Sequence, residues 1–375
     1  MPKIMTLAVA LALGFLAALP AQATTARIHA LGGDGDLFED AAGITRWYGS
    51  LADYPDHLVL DSGSFNIPDG YWMFASEKIN GPAAGLVRHL DEAGRWGTVG
   101  LFWRDLDTDH DLFLENNRLR ENLQALYGRR LGPVDATLSY GHGNWRVHDG
   151  AEVRDYSAHT FGLGARLDLS TTAYLDVAWD LRRTSRRDEG DESIHNLRGR
   201  AFVGVTERTI LVPLAEWIRE ERVHPFSAVI DPQPADHRLT RLGVGLNFLP
   251  DTDHLLLLGL LYEDGRRHYA GYHEAWDAWL LRSGFESRIS SWLTVRGGLT
   301  YTHHDVRTDL PPIQDPWQWL NQGDPILRVN LGAAVHLGPA DLDMAFGERY
   351  PRRAFLGRTF EPQKHWLSAS LRWLY

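Results

Sequence analysis

His365 to Tyr375 reads HWLSASLRWLY and closes the chain. Its odd positions, Leu367, Ala369, Leu371, Trp373 and Tyr375, form one apolar row; Trp366, Ser368, Ser370 and Arg372 form a mostly polar one. Strands point successive side chains to opposite faces, so this stretch predicts a strand with one face for hydrocarbon and one for water. It stops on an aromatic residue with no charge after it. Strands of this form close antiparallel barrels in bacterial outer membranes. The expected fold is therefore all-β, a transmembrane antiparallel up-and-down β-barrel.

The same alternation runs back to about Trp96. Phe161, Leu163, Ala165 and Leu167 oppose Gly162, Gly164, Arg166 and Asp168; Leu242, Val244, Leu246 and Phe248 oppose Arg241, Gly243, Gly245 and Asn247. Connections alternate in length. Leu131-Gly132-Pro133, Ser170-Thr171-Thr172, Glu207-Arg208, Pro250 to Asp253, Ser290-Ser291 and Gly338-Pro339-Ala340 are short. Between them lie longer ones, such as Leu106 to Asn117 and Arg307 to Gln322. Short periplasmic turns and long external loops are the rule in such barrels, which puts the C-terminus in the periplasm. Counting back from Tyr375 gives fourteen strands. Tyr71 to Ile79 and Ala84 to Asp91, joined through Asn80-Gly81-Pro82, are candidates that would make sixteen.

At the other end, Lys3 precedes an apolar run from Ile4 to Leu19, and Ala21-Gln22-Ala23 offers small residues for cleavage. This reads as a secretory signal peptide over 1–23, cleaved near Ala23. No later run approaches the roughly 20 apolar residues of a membrane-spanning helix. The expected location is the bacterial outer membrane. There are no cysteines, so disulfides and thiolate metal sites are excluded. The net charge of −11 argues against a nucleic-acid partner. Outer-membrane lipid, lipopolysaccharide and, through the C-terminal strand, the barrel assembly machinery are the expected partners; the oligomeric state is left open.

Residues 24–55 do not alternate, and 56–375 is read as the barrel. The first block holds Gly32, Gly33, Asp34, Gly35 and Asp36, then Glu39, Asp40, Ala41 and Ala42, then Arg46, Trp47 and Tyr48. It is too short for a domain and too rich in glycine and aromatics for a free tail, so a periplasmic plug tucked into the lumen is expected. The block resembles the N-terminal segment of the long-chain fatty acid transporter (FadL-like) superfamily in Leu31-Gly32-Gly33-x-Gly35 and the acidic pair Glu39-Asp40 followed by small residues. It departs from that family at Arg46 to Ser50, where an Asn-Pro-Ala turn would stand. The resemblance implies a fourteen-stranded barrel with an N-terminal hatch, and transfers no ligand contacts.

On the inward row stand Arg166, Arg182, Arg198, Arg200, Arg241, Arg282, Arg296, Arg328 and Arg372, with Asp168, Asp176, Asp180 and Glu286. Such charges either pair into a bracing network, which is favoured here, or line a basic path for anions. The plug acids are the natural partners for those arginines. The run Leu255 to Leu258 with Leu260 and Leu261 is apolar on both faces; packing against the plug is favoured over a greasy track. Arg182-Arg183 and Arg186-Arg187 precede Asp188 to Glu192, and internal salt bridges are favoured there over contact with lipopolysaccharide phosphates.

Asp105, Asp107, Asp109 and Asp111 alternate in a way that could wrap a divalent cation, although His110 and Glu115 break the EF-hand form. A solvated loop is the default, and no other cofactor is expected. His303 and His304 point to opposite faces, which disfavours chelation. No Gly-x-Ser-x-Gly, His-Glu-x-x-His or phosphate-loop motif is present, so no enzymatic activity is expected. The leading expectation is passive transport of a small hydrophobic or amphipathic molecule. A structural or secretion-associated barrel without transport comes second, and a general porin third.

Overall fold

The computed structural model describes residues 24–33, 35–67, 83–91, 94–104, 123–149, 152–186, 190–222, 236–268, 273–308, 326–351 and 364–375. Asp34, the signal-peptide residues, the candidate strand Tyr71 to Ile79, the acidic run Asp105 to Asp111 and most of Arg307 to Gln322 lie outside them.

Sixteen strands close one antiparallel barrel. They are β1 (His57–Ile67), β2 (Ala83–His89), β3 (Thr98–Arg104), β4 (Leu123–Leu131), β5 (Val134–Asp149), β6 (Glu152–Ser170), β7 (Ala173–Arg186) and β8 (Gly190–Thr206). The second half comprises β9 (Thr209–Arg222), β10 (Asp236–Asp251), β11 (His254–His268), β12 (His273–Ser290), β13 (Leu293–Thr308), β14 (Ile326–Leu337), β15 (Ala340–Pro351) and β16 (Lys364–Leu374). Each strand pairs with its sequence neighbours, and β1 pairs with β16, so no edge remains unpaired. The fourteen strands implied by the family resemblance are thus exceeded by two. β2 coincides with the candidate at 84–91, whereas the first strand is β1, upstream of the candidate at 71–79. Its alternating row is short and interrupted by Ser62 and Gly63, where the β1–β16 register shifts.

Two-residue connections close the hairpins of β4–β5 and β14–β15 through Gly132-Pro133 and Gly338-Pro339. Both glycines have positive φ, 68° and 69°, as a tight hairpin requires at its first loop position, and proline then fixes the second. The outward row is an apolar belt: Leu138, Phe161, Leu163, Leu197, Leu242, Leu258, Leu281, Leu331, Leu367 and Trp373 are exposed. On β16 the inward Ser368, Ser370 and Arg372 are buried. A closed barrel with apolar residues outside and polar residues inside is the architecture of an outer-membrane β-barrel. Among the described residues, no helix is long and apolar enough to cross a membrane.

Preceding β1, the chain forms a short helix, α1 (Thr25–Ala30), and two 3₁₀ turns, Ala41–Thr45 and Tyr48–Asp53. Thr24 caps α1 through Arg27 N–H, and Asp40 caps the first 3₁₀ turn through Ala42 N–H, the ordinary way to satisfy the free donors of a helix start. Residues 24–54 supply 12 of the 30 buried apolar residues among those described. Ile28, Leu31, Leu37, Phe38 and Trp47 cluster with inward Leu214, Leu257, Leu261, Ala278 and Leu280. Leu257 and Leu261 are the inner side of the doubly apolar run on β11, and this packing removes them from water.

Candidate functional site

The site is the contact between the N-terminal segment and the inward rows. Two glycines allow the approach. A Cβ at Gly298 would lie 2.4 Å from the carbonyl carbon of Leu31, and one at Gly164 would lie 2.4 Å from the Tyr48 ring. No side chain fits at either position.

Around this interface, ion pairs run from β5 to β16. Arg166 holds Asp176 with two bonds of 2.7 and 2.9 Å, and its Nη1 reaches Glu39 at 2.5 Å and Asp53 at 2.8 Å. Arg200 donates to Asp176 at 3.1 Å and to the carbonyls of Gly35, Asp36 and Phe38, with its guanidinium 4.4 Å from the Trp47 ring centroid. Arg198 bridges Asp180 and the carbonyl of Arg46, and the Tyr48 hydroxyl donates to Asp180 at 2.8 Å. Arg46 forks onto Asp36 at 2.7 and 3.1 Å and also reaches Glu216 at 3.0 Å, where Arg241 joins at 3.3 Å. Arg241 also donates to Glu263 at 2.5 Å.

A second cluster surrounds α1. Arg27 makes two bonds to Glu286, of 2.6 and 2.9 Å, and a third to Asp40 at 3.3 Å. Arg296 joins Glu286 to Asp343, which also accepts from Thr24 at 2.8 Å. Burial pushes the Asp40 carboxyl up to about 7, against the pull of Arg27. Burial likewise raises Asp53 and lowers the imidazole of His29.

Of the inward arginines read from the sequence, Arg166, Arg198, Arg200, Arg241 and Arg296 meet the N-terminal segment or its carboxylate partners. Arg372 pairs instead with Asp341 near the barrel seam, Arg282 is buried beside Gly33 of the segment, and Arg182 is buried elsewhere on the inward row. Two positions differ. Asp168 sits at the turn end of β6, exposed, and takes no part in the buried network; Arg328 shares the row of Asn330 but is exposed. Of the acids of the segment, Asp36, Glu39 and Asp40 all pair, while Asp34 lies outside the described residues. Of the plug candidates, Trp47 is fully buried, and its Nε1 donates to Asp36 at 2.9 Å. Gly32 and Gly35 have positive φ, and the Gly32 carbonyl accepts from Thr300; Gly33 lies beside Arg282.

Sequence reading missed Arg27, Tyr48, Glu216, Asp341 and Asp343. Asp341 and Asp343 alternate on β15, a signal that was there to find. Tyr48 and Arg27 lie in a segment without periodicity, which gives no face to read.

On the side of β1, β2 and β3 the packing opens. A small cavity of about 50 Å³ lies between Thr25, Ala41, Ala42 and Thr45 of the segment and the barrel wall. His57, Val59, Asp61, Ala83 and Phe102 line it from inward positions, and Ala84 and Trp103 from the outward row. Apolar lining with a few polar groups is the ordinary make-up of a small-molecule site. Among the described residues, no group of His, Asp and Glu could hold a metal ion.

No family model and no curated protein matches the chain. Solved barrels do. A FadL homologue from Pseudomonas aeruginosa is 9% identical, covering 93% of this chain and 98% of its own, with a TM-score of 0.48. The toluene transporter TodX from Pseudomonas putida is 11% identical, over 94% and 98%, at 0.43. CdiB from Escherichia coli is 10% identical, over 85% and 63%, at 0.49. In architecture the chain is an outer-membrane β-barrel, similar to these over most of its length.

Proposed function

We propose that the barrel passes a small hydrophobic or amphipathic molecule across the outer membrane without energy input, and that residues 24–55 act as its plug. The observation that carries this reading is the cavity beside β1, β2 and β3. It is mainly apolar, it lies where the segment is not fastened by ion pairs, and its lining extends from inward to outward positions of the wall. Such a space suits a cargo that prefers hydrocarbon to water. The names of the similar barrels, a toluene transporter among them, agree with this reading.

A second reading, a barrel that transports nothing, is favoured by the density of buried ion pairs around the rest of the lumen. The two readings separate in proteoliposomes. Uptake of a radiolabelled monoaromatic hydrocarbon or medium-chain fatty acid should exceed that of protein-free vesicles. Ala83→Trp, which fills the cavity, should cut the protein-dependent part at least tenfold while the unheated protein still migrates as a folded barrel. Uptake equal to protein-free vesicles, or unchanged by Ala83→Trp, refutes the transport reading. Steady large conductance in the intact protein refutes the plug; conductance should appear only when residues 24–55 are removed.

A further inference from the structure

The outward row changes character at the long-loop end of the barrel, and it does so unevenly. On β5 to β9 the apolar belt ends at Tyr140, Phe161, Leu181, Leu197 and Trp217. The next outward residues are His142, His159, Arg183, His195 and Arg219. The register places His142 opposite His159, and His159 opposite Arg183. One step lower, His195 stands opposite Arg219. On β10 to β13 the residues just beyond Leu242, Tyr262, Trp279 and Tyr301 are Thr240, Asp264, Asp277 and His303. There Arg238 is tied to Asp236 and Arg307 to Asp277. Two arginines and three histidines thus gather at one sector of the hydrocarbon boundary, whereas β10 to β13 place one threonine, two aspartates and one histidine at that level.

This sector has local order. The His142 and His159 rings lie 4.8 Å apart, the Tyr140 hydroxyl is 2.9 Å from His159 Nδ1, and Asn144 Nδ2 is 2.9 Å from His142 Nε2. Among the described residues, Arg183 is exposed and has no ion-pair partner, and Arg219 pairs with Glu221. Basic side chains immediately above an apolar belt face the level at which a lipid carries its headgroup charge. An arginine fork matches the oxygens of a phosphate, and imidazole N–H groups add donors beside it. Short turns lie at the opposite end of these strands, so the sector faces the outer leaflet.

We propose that the outward face of β5 to β9 binds the phosphorylated headgroup of an outer-leaflet glycolipid. Arg183 holds the phosphate between His159 and Arg219, and the acyl chains lie along Leu138, Phe161, Leu163 and Leu197. The site is independent of what crosses the lumen.

Native mass spectrometry of the full-length barrel in detergent, titrated with diphosphorylated lipid A, tests it. The protein should bind this lipid about tenfold or more tightly than the same lipid stripped of its phosphates. Arg183→Gln should remove most of that preference, while Arg238→Gln, in the acidic sector, should leave it intact. Equal binding of the two lipids by the unaltered protein overturns the proposal, as does an equal loss in both variants or none in Arg183→Gln. Equally tight binding of phosphatidylglycerol overturns the glycolipid assignment. If Arg183→Gln does not fold, the phosphate preference of the unaltered protein, and its insensitivity to phosphatidylglycerol, decide the matter alone.

Discussion

The two sides of the lumen are held in different ways. From β4 to β15 the inward rows carry arginines and carboxylates that reach into the N-terminal segment. From β1 to β3 the described inward side chains, His57, Val59, Asp61, Ala83, Val87, His89, Thr98 and Phe102, include no arginine, and one contact with the segment is that of His89 with the Ala52 carbonyl at 3.3 Å. The strands differ too: β2 and β3 have 7 residues each, while β6 has 19. Pairing between β1 and β2 spans five residues from His57 to Asp61, against sixteen from Val134 to Asp149 along β5 and β6. The segment is therefore fastened on one side and merely leaned on at the other. A carrier of apolar cargo needs such an arrangement, since a path can open at the loose side without breaking buried charge pairs.

The largest expected effect breaks the fastened side. Asp176→Ala strands Arg166 and Arg200 next to one another, both buried. Removing one partner of a buried ion pair costs about 3 kcal/mol or more. Arg166 keeps Glu39 and Asp53, which puts the expectation at the lower end. Val59→Ala, beside the cavity, should cost about 1 kcal/mol. Urea midpoints of the folded band on unheated gels compare the two, and equal shifts would erase the distinction between the sides. Next in size is Gly298→Val, whose Cβ would meet the Leu31 backbone. Overpacking of this kind costs about 1–3 kcal/mol. It should expose Arg27 and Arg46 to trypsin before the barrel itself unfolds, and cleavage no faster than in the unaltered protein would deny that α1 rests on β13.

What could be read from the sequence follows the same division. Alternation revealed the strands because a barrel wall obeys one rule at every position: lipid outside, polar groups inside. The inward placement of Arg166, Arg200 and Arg241 was legible for that reason. The segment obeys no period, so Arg27 and Tyr48 could not be assigned a face, although the acids Asp36, Glu39 and Asp40 could be matched to arginines by charge alone. β1 was displaced in the reading because Ser62 and Gly63 interrupt its alternation at a bulge. The inward glycines could be taken for curvature, when Gly164 and Gly298 are sockets for Tyr48 and Leu31. A cavity leaves no trace in residue pattern, since it is defined by side chains that are too small.

The finest test concerns the α1 cluster, where three carboxylates, Asp40, Glu286 and Asp343, face two arginines, Arg27 and Arg296. One proton offsets the excess, and Asp40 holds it, with its carboxyl raised from 3.8 to about 7. Because the docked segment binds this proton more tightly than the undocked one, docking is strongest in acid. It weakens as pH rises through the window between those two values and is level above about 7. A single site changes the equilibrium at most tenfold per pH unit. Trypsin cleavage of the segment should therefore speed up between pH 6 and 7 and level off by pH 8, after correction for the protease's own pH profile. Asp40→Asn, which keeps the cap acceptor and cannot ionise, should flatten this rise. A slope that survives in Asp40→Asn would move the proton to another carboxylate of the cluster, whereas cleavage that slows with rising pH would reverse the sign and remove Asp40 as the fastening between segment and wall.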